Sequence, residues 1–431
     1  MRCAKARDGV AREMSAHIID QTDAYEQSGM EHDKAVEKAV RGMGDPVEIG
    51  VSMDRIHRPQ IDWKMLLLTF VLSIAGLLCM MPVYNVEEVL LGQGLFVLVG
   101  FAVIAVVYFI DYSVIGQIGA AAYIIMTILL WISRNHMRVI NGWIPAMSIL
   151  VYLYVPVFAG ILYQLRMKGY GAVIMGLVVI GVTCLVITYF SATLWVIATI
   201  GFSMVIMLLA AIKKGMFGGN KKHMAMIVAA TVFLSMTAMV LRISTSWRWR
   251  SFRVMRLEAF IHRNQYGDGA GYSYNVISDI LRNAKFVGTG SSKYGDLPDL
   301  VISLDSGMAP LISIYAYGLI AGILLLILLA ALVFRAVKIV CGQKNQLGFL
   351  VSMACMLVIF LNCLEGILVN VGLFPYTSVI IPFLTRGGSV TFVYSVLIGL
   401  LLGVHRYEKV YTMQTHAEQP RWKVSLKFEK R

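Results

Sequence analysis

Residues 171–212 read GAVIMGLVVIGVTCLVITYFSATLWVIATIGFSMVIMLLAAI and contain no Asp, Glu, Lys or Arg. A helix needs about 20 apolar residues to cross the hydrocarbon core of a bilayer, so this run is long enough for two crossings. Tyr189-Phe190-Ser191 is the expected joint between them. The run therefore predicts an all-α integral membrane protein.

The composition of the whole chain agrees with a membrane location. Of its 431 residues, 58% are hydrophobic and 15% are charged, against about 45–50% and 25% in an average soluble domain. The mean hydropathy of +0.72 excludes a set of soluble domains. Lys plus Arg exceed Asp plus Glu by 38 − 25 = 13, which favours anionic partners such as membrane phospholipid or a phosphorylated substrate. The apolar content argues against a nucleic-acid partner.

The distribution of charge divides the chain into three parts. Residues 1–62 are polar and helical in pattern, and they lack the apolar segment of a signal peptide. Residues 63–407 form the predicted membrane domain, with a large loop at 242–305, and residues 408–431 are a basic tail. Ten predicted spans lie at 65–83, 94–110, 114–132, 143–164, 171–188, 191–212, 223–241, 307–334, 347–369 and 378–404.

The basic loops indicate how the chain is oriented. Lys and Arg collect in the cytoplasmic loops of membrane proteins, and the basic residues at 166–168, 213–222, 335–344 and in the tail all lie on one side if the N-terminus is inside. The first outer loop carries Glu87 and Glu88 and no basic residue, whereas Arg134 and Arg138 go against the trend. We therefore expect a multi-pass protein with both termini in the cytoplasm.

The loop at 242–305 is the main candidate for a site, because a loop of this length is functional or folded in its own right. It carries nine basic and six acidic residues. Arg253 and Arg256 lie three residues apart, so on a helix they share one face and could clamp a phosphate or diphosphate. Trp247-Arg248-Trp249-Arg250 suits either headgroup binding or anchoring at the membrane surface.

Glu365 is the one acid well inside a predicted span. An unpaired charge there costs about 2.5–3.5 kcal/mol on insertion scales, so such a residue is a functional candidate. The alternatives are a structural partner to Arg386 or Asn362, or a protonated, neutral side chain.

No cofactor is evident in the sequence. The six cysteines show no metal-ligand spacing and lie mostly in apolar runs, so they are expected to be small core residues: Cys3, Cys79, Cys184, Cys341, Cys355 and Cys363. A divalent cation could assist a diphosphate leaving group, but no cluster of ligands supports one, and no metal site is predicted.

Several short motifs follow one another along the membrane domain. They are Asp62-Trp63-Lys64, Phe109-Ile110-Asp111-Tyr112, Arg253-Val254-Met255-Arg256-Leu257, Gly288-Thr289-Gly290, Leu297-Pro298-Asp299, Asn370-Val371-Gly372-Leu373-Phe374-Pro375 and Ile381-Pro382-Phe383-Leu384-Thr385-Arg386-Gly387-Gly388-Ser389. This set resembles the SEDS family of FtsW-, RodA- and SpoVE-like proteins, whose terminal motif reads Asn-x-Gly-x-x-Pro and then Leu-Pro-Phe-x-Ser-Tyr-Gly-Gly-Ser. Through Met43-Gly44-Asp45-Pro46 and His57-Arg58-Pro59, residues 1–62 resemble the prefix domain of some bacterial permeases, which implies a regulatory or docking role.

The resemblance implies a ten-helix peptidoglycan glycosyltransferase in the bacterial cytoplasmic membrane. Such a protein polymerises lipid-linked disaccharide-pentapeptide outside the membrane in division, elongation or sporulation, beside a class B penicillin-binding protein. The family's catalytic Asp corresponds to Asp305 if two extra residues are allowed before it, with Asp299 as the fallback base. The candidate substrate-binding residues are Arg253, Arg256, Arg386, which stands where the family has Tyr, and Glu365.

One departure from the family keeps three hypotheses open. Where the family carries Gln-Pro-Ser-Glu-x-x-Lys on the fourth span, Phe158 and Ile161 occupy the Glu and Lys positions. The chain is then either an active glycosyltransferase, a catalytically weakened homologue that acts as scaffold or regulator of a cell-wall synthase, or a lipid flippase or transporter. The lack of a visible internal repeat argues against the third hypothesis.

Overall fold

The computed structural model describes residues 4–56, 59–136, 150–189, 194–245, 255–262, 271–297, 300, 307–375 and 380–408. All regular secondary structure within these ranges is helical, which confirms the predicted all-α class. The helices are α1 (Ala4–Gln27), α2 (His32–Gly42), α3 (Pro46–Ile56), α4 (Trp63–Met80), α5 (Val86–Phe109), α6 (Ser113–His136), α7 (Val151–Gln164), α8 (Tyr170–Tyr189), α9 (Leu194–Lys213), α10 (Lys221–Thr245), α11 (Met255–Ile261), α12 (Tyr272–Arg282), α13 (Ala309–Tyr317), α14 (Leu319–Gly342), α15 (Gln346–Asn370) and α16 (Gly388–Arg406).

Eight of the described helices are long and apolar enough to cross a membrane, so the chain is a multi-pass membrane protein. They are α4, α5, α6, α8, α9, α14, α15 and α16. The shorter α7 covers the end of the predicted fourth span, and residues 143–149 of that span lie outside the described ranges. The 25-residue helix α10 covers the predicted seventh span without being one of the eight. The predicted count of ten is therefore not confirmed.

Two predicted spans include residues that interrupt the helix in the structure. The span predicted at 307–334 is two helices, α13 and α14, with Gly318 between them at φ 102°. A Cβ at Gly318 would lie 2.7 Å from the carbonyl oxygen of Phe286, so a residue with a side chain does not fit there. The span predicted from residue 378 begins at Gly388, because residues 380–387 fold as a turn. Hydropathy does not reveal the break at Gly318, since the residues on both sides of it are apolar.

The two last helices form the buried centre of the membrane unit. About two thirds of the spanning window is buried in both α15 and α16 (67% each), against 17% in α6 and 28% in α5. Helix α15 packs against α7, α9 and α14. The outer helices instead expose large apolar side chains such as Leu98 and Ile124, which suits contact with lipid tails.

The structure divides into two compact units, one holding Met1–Ile61 and Arg406–Arg431 and the other Asp62–His405. In the first unit α1 packs on α2, which buries Ala35 and Ala39. In the second unit Asp62 caps α4 by accepting a hydrogen bond from the Met65 amide at 3.2 Å. The same carboxylate accepts a second hydrogen bond from Arg335 Nε at 2.6 Å. This buried ion pair joins the start of α4 to α14. That residues 1–62 act as a separate cytoplasmic module stays a prediction.

Candidate functional site

The terminal sequence motif folds as a tight turn at residues 380–387, between α15 and α16. The Ile381 amide donates to Thr385 Oγ1 at 2.8 Å, and Phe383 lies in the left-handed region at φ 61°. That conformation is uncommon for a residue with a side chain and is often found at functional sites. A Cβ at Gly76 would lie 2.2 Å from the Phe383 carbonyl oxygen, so the turn packs directly on the backbone of α4.

A buried glutamine on α5 holds the other side of this turn. Gln93 Oε1 accepts from the Gly387 amide at 2.9 Å, and its Nε2 donates to Thr391 Oγ1 at 3.1 Å. A Cβ at Gly388 would lie 2.8 Å from the ring of Phe96, so the start of α16 also rests on α5. The turn is therefore fixed to both α4 and α5.

Arg386 points from the turn toward the start of α5. Its Nη2 donates to Glu88 Oε1 at 2.7 Å, and its guanidinium lies 4.2 Å from the ring centre of Tyr84. The hydrogen bond to the Glu88 carboxylate raises the pKa of Arg386 above its ordinary value. The two paired side chains are 35% and 52% exposed, and exposed pairs of this kind contribute little, about 0–1 kcal/mol. Another anion can therefore replace Glu88 beside Arg386 at a small cost in free energy.

A narrow cleft lies beside Arg386. It is lined by residues of α4, the following turn, α13 and the 380–387 turn: Cys79, Met80, Val83, Tyr84, Ala309, Ile312, Leu384 and Arg386. Its cavity volume is about 10 Å³, close to the ~10–15 Å³ that a single water needs and far too small for a substrate. The cleft is closed in this conformation.

Asn370, the first residue of the family-like Asn-x-Gly-x-x-Pro motif, holds the start of α13. Its Oδ1 accepts from the Leu311 amide at 3.1 Å, and its Nδ2 donates to the Gly307 carbonyl at 3.3 Å. A further bond to the Gly366 carbonyl at 2.8 Å fixes the side chain on its own helix. Gly307 follows Asp305 by two residues in the sequence. One side chain of α15 thus anchors the element that comes directly after the predicted catalytic segment.

The Gly288-Thr289-Gly290 element pairs with the other end of α13. The Gly288 amide donates to the Tyr317 carbonyl at 3.1 Å and the Gly290 amide to the Tyr315 carbonyl at 2.7 Å. Asp279 of α12 accepts from the Ser292 hydroxyl at 2.8 Å, which orders the residues that follow. This part of the large loop is therefore attached to the membrane helices.

Glu365 is buried in α15, 1% exposed, within a polar cluster. The Tyr152 hydroxyl donates to Asn362 Oδ1 at 3.0 Å, and the Tyr394 hydroxyl donates to the Ile380 carbonyl at 3.2 Å. The Glu365 carboxyl group lies within electrostatic range of both hydroxyls. The cluster is therefore connected to the first residue of the 380–387 turn.

The structure describes only part of the predicted site. Arg253, Asp299 and Asp305 lie outside the described residues, and Arg256 lies on α11 with its side chain also outside them. Arg386 contacts Glu88 and Tyr84 rather than Glu365, so the predicted Arg386–Glu365 alternative is wrong. Within the described ranges no group of three or more His, Cys, Asp or Glu side chains could hold a metal ion.

The sequence did not indicate Gln93 or Tyr84. The only signal for Gln93 is one amide side chain in the apolar part of α5, and its partners are nearly 300 residues away (294 and 298). The sequence distinguishes Glu88 by its charge alone, because its pairing with Arg386 depends on the fold.

The fold and the site define a class of protein: a polytopic all-α membrane protein whose terminal motif, α13 and part of the large loop are joined at one end of the bundle. A family model described as cell cycle protein, for FtsW, RodA and SpoVE, matches residues 61–410. The chain belongs to this family.

Curated relatives match a shorter part of the chain. It is 34% identical over 168 residues to stage V sporulation protein E of Bacillus subtilis (strain 168), covering 37% of this chain and 43% of the relative. It is 27% identical over 197 residues to the probable peptidoglycan glycosyltransferase FtsW of Borreliella burgdorferi, covering 44% and 51%. The chain thus spans about half the length of the curated relatives it matches.

Solved structures with the same fold cover most of the chain. A chain from a structure on the structural coordination of polymerization and crosslinking by a peptidoglycan synthase complex superposes with a TM-score of 0.64 at 16% identity, over 81% of this chain and 98% of its own. The rod shape determining protein RodA of Thermus thermophilus gives 0.51 at 14% identity, over 80% and 97%. These matches confirm the fold.

Proposed function

We propose that this protein is a peptidoglycan glycosyltransferase that polymerises lipid-linked disaccharide-pentapeptide at the outer face of the bacterial cytoplasmic membrane. The observation that carries the proposal is the Asn370 side chain, which joins the end of α15 to the first turn of α13. The family's terminal motif and the helix that follows its catalytic segment therefore share one anchor. Membership of a family with curated glycosyltransferases supports the same activity.

The proposed chemistry assigns a role to each predicted residue. Asp305, or Asp299 in its place, removes the proton from the attacking sugar hydroxyl as general base. Arg253 and Arg256 hold the substrate diphosphate by charge-assisted hydrogen bonds. The arginines and the aspartates carry opposite charges, which suits a loop that must bind an anion and also accept a proton.

Arg386 is proposed as a further contact to the diphosphate, released from Glu88 when substrate binds. Its half-exposed ion pair supports this role, because little free energy is lost in the exchange. Glu365 is proposed to affect substrate binding through the Tyr394–Ile380 hydrogen bond, since the acid itself is buried inside the bundle.

Partner and orientation follow from the same proposal. Both termini face the cytoplasm, and a class B penicillin-binding protein crosslinks the glycan that this chain makes. The structural match to a chain of a peptidoglycan synthase complex supports this assignment, as does the distribution of basic loops.

A second candidate is a scaffold or regulator of a cell-wall synthase. It is favoured by Phe158 and Ile161, which are 0% and 6% exposed at the positions of the family's Glu and Lys. Loss of both ions together leaves no unpaired buried charge, so the fold tolerates it, but any catalytic task of that pair is lost.

A chain-elongation assay separates the two candidates. Purified full-length protein is incubated with labelled lipid-linked precursor, with and without a class B penicillin-binding protein. Glycan chains longer than the precursor support the enzyme. No product in either condition, from protein that still binds the precursor, supports the scaffold.

A further inference from the structure

Two short loops on one side of the bundle form a single surface. Residues 165–169 join α7 to α8, and residues 214–220 join α9 to α10. The Met167 amide donates to the Met216 carbonyl at 3.0 Å, and the Gly169 amide donates to the Phe217 carbonyl at 2.9 Å. These two bonds hold together segments that are about 50 residues apart in the sequence.

This surface, the basic patch, is strongly cationic. The sequence contains no Asp or Glu between Asp111 and Glu258, so no acid lies in either loop or in the helices that carry them. The patch consists of Arg166, Lys168, Lys213, Lys214, Lys221 and Lys222.

Three of these cations already have partners within the protein. Lys221 Nζ donates to the Lys213 carbonyl at 3.1 Å. Lys214 Nζ lies 3.4 Å from the ring centre of Phe349, and partial burial lowers the pKa of Lys214. Arg166 stacks on Tyr163 at 4.0 Å. The other three, Lys168, Lys213 and Lys222, are exposed and form no ion pair with any described residue.

The first turn of α10 adds to the unbalanced charge. Asn220 Oδ1 accepts from the Lys222 amide at 3.0 Å and so caps the helix, and Lys221 and Lys222 follow directly. Cations at a helix N-terminus oppose the helix dipole, and an external anion relieves that conflict.

An apolar side chain projects from the middle of the patch. Met167 lies between Arg166 and Lys168, in the left-handed region at φ 63°, and is 76% exposed. The patch lies where α7, α8, α9 and α10 begin or end, which is the level of the lipid headgroups. A cationic surface with an exposed apolar residue at that level is typical of binding to anionic lipid.

We propose that the basic patch binds the phosphate headgroup of an anionic phospholipid, such as phosphatidylglycerol, in the leaflet that the basic loops face. The lysines contact the phosphate, and Met167 lies against the upper part of the acyl chains. This inference does not depend on the glycosyltransferase proposal.

The test compares two double variants of the full chain in detergent. Lys168→Gln with Lys222→Gln removes two patch charges. The matched control, Lys338→Gln with Lys344→Gln, removes two exposed charges on the same predicted side, one from the last turns of α14 and one from the loop that follows it. Each is titrated with phosphatidylglycerol, phosphatidylcholine or inorganic phosphate, and both the thermal midpoint and the lipid retained in native mass spectrometry are recorded.

We expect phosphatidylglycerol to raise the thermal midpoint of the wild type and of the control, and phosphatidylcholine to have little effect. The patch variant should bind phosphatidylglycerol about 10- to 30-fold more weakly, at about 1 kcal/mol per lysine. An equal loss in the control variant, no preference of the wild type for the anionic lipid, or equal stabilisation by inorganic phosphate would each overturn the proposal. If the double patch variant does not fold, the single variants Lys168→Gln and Lys222→Gln are titrated in its place, and unchanged affinity for phosphatidylglycerol in both would overturn the proposal.

Discussion

At the scale of single residues, buried amides rather than apolar contacts position the candidate site. Gln93 and Asn370 each bond to backbone groups of another element, and both are almost fully buried, 3% exposed each. A buried backbone group that loses its partner costs about 1–3 kcal/mol. These side chains therefore fix where the 380–387 turn and α13 lie.

Asn370→Leu tests that anchor. The variant keeps the branching of the side chain at Cγ but removes its bonds to Leu311 and Gly307, so we expect the free energy of unfolding to fall by about 1–3 kcal/mol and glycan polymerisation to be lost. Asn345→Leu is the control, because Asn345 caps the other end of α15 at 2.9 Å from the Leu347 amide. The midpoint of thermal unfolding in detergent should fall in both variants, whereas activity should be lost only in Asn370→Leu. Retained activity in Asn370→Leu would contradict the proposed role of Asn370 as an anchor.

Arg386→Tyr places the family's residue in this chain. The Glu88 pair is exposed enough that we expect a stability change below about 1 kcal/mol. If Arg386 binds the diphosphate, precursor affinity should fall about tenfold, as for the loss of one charge-assisted hydrogen bond. Glu88→Gln, which frees the guanidinium, should leave affinity equal or higher. Binding of labelled precursor measures both, and an unchanged affinity in Arg386→Tyr would exclude the contact.

At the scale of elements, the apolar runs predicted most helices but not the breaks between them. The Gly318 break lies inside an apolar stretch, where hydropathy has no signal. The 380–387 turn carries Pro382, Arg386 and Gly387, but hydropathy averaged over a whole span does not resolve them. The causes of the break and of the turn are a close approach to Phe286 and a contact with Gly76, both of which depend on the folded structure. The family-like motifs contain Arg386 and Asn370, so the sequence points to both residues. The pairing of Arg386 with Glu88 is not predictable from the sequence, because it depends on the folded structure.

Gly318→Ala tests the break. Its φ of 102° disfavours any side chain, and the added Cβ would meet the Phe286 carbonyl. We expect a loss of stability of about 1–3 kcal/mol and faster amide hydrogen exchange at residues 285–291. Gly181→Ala on α8 is the control, because nothing lies within 4 Å of a Cβ there. Equal exchange in both variants would show that the segment does not depend on this contact.

At the scale of the whole molecule, every proposed role depends on which side of the membrane each loop faces. We expect Gly269→Cys in the large loop to react with an impermeant thiol reagent in intact cells. Lys222→Cys, exposed in the basic patch, should react only after lysis, and a reporter fused after Arg431 should be cytoplasmic. The opposite labelling would reverse the orientation and remove the outer site.

The chain-elongation assay with Asp305→Asn tests the proposed glycosyltransferase activity at its general base. Asparagine can still cap a helix, but it cannot accept the proton of the attacking hydroxyl. We expect glycan chains from the wild type and none from Asp305→Asn, with both proteins equally folded and equally able to bind the lipid-linked precursor. Glycan chains of normal length and yield from Asp305→Asn would contradict the proposed role of Asp305.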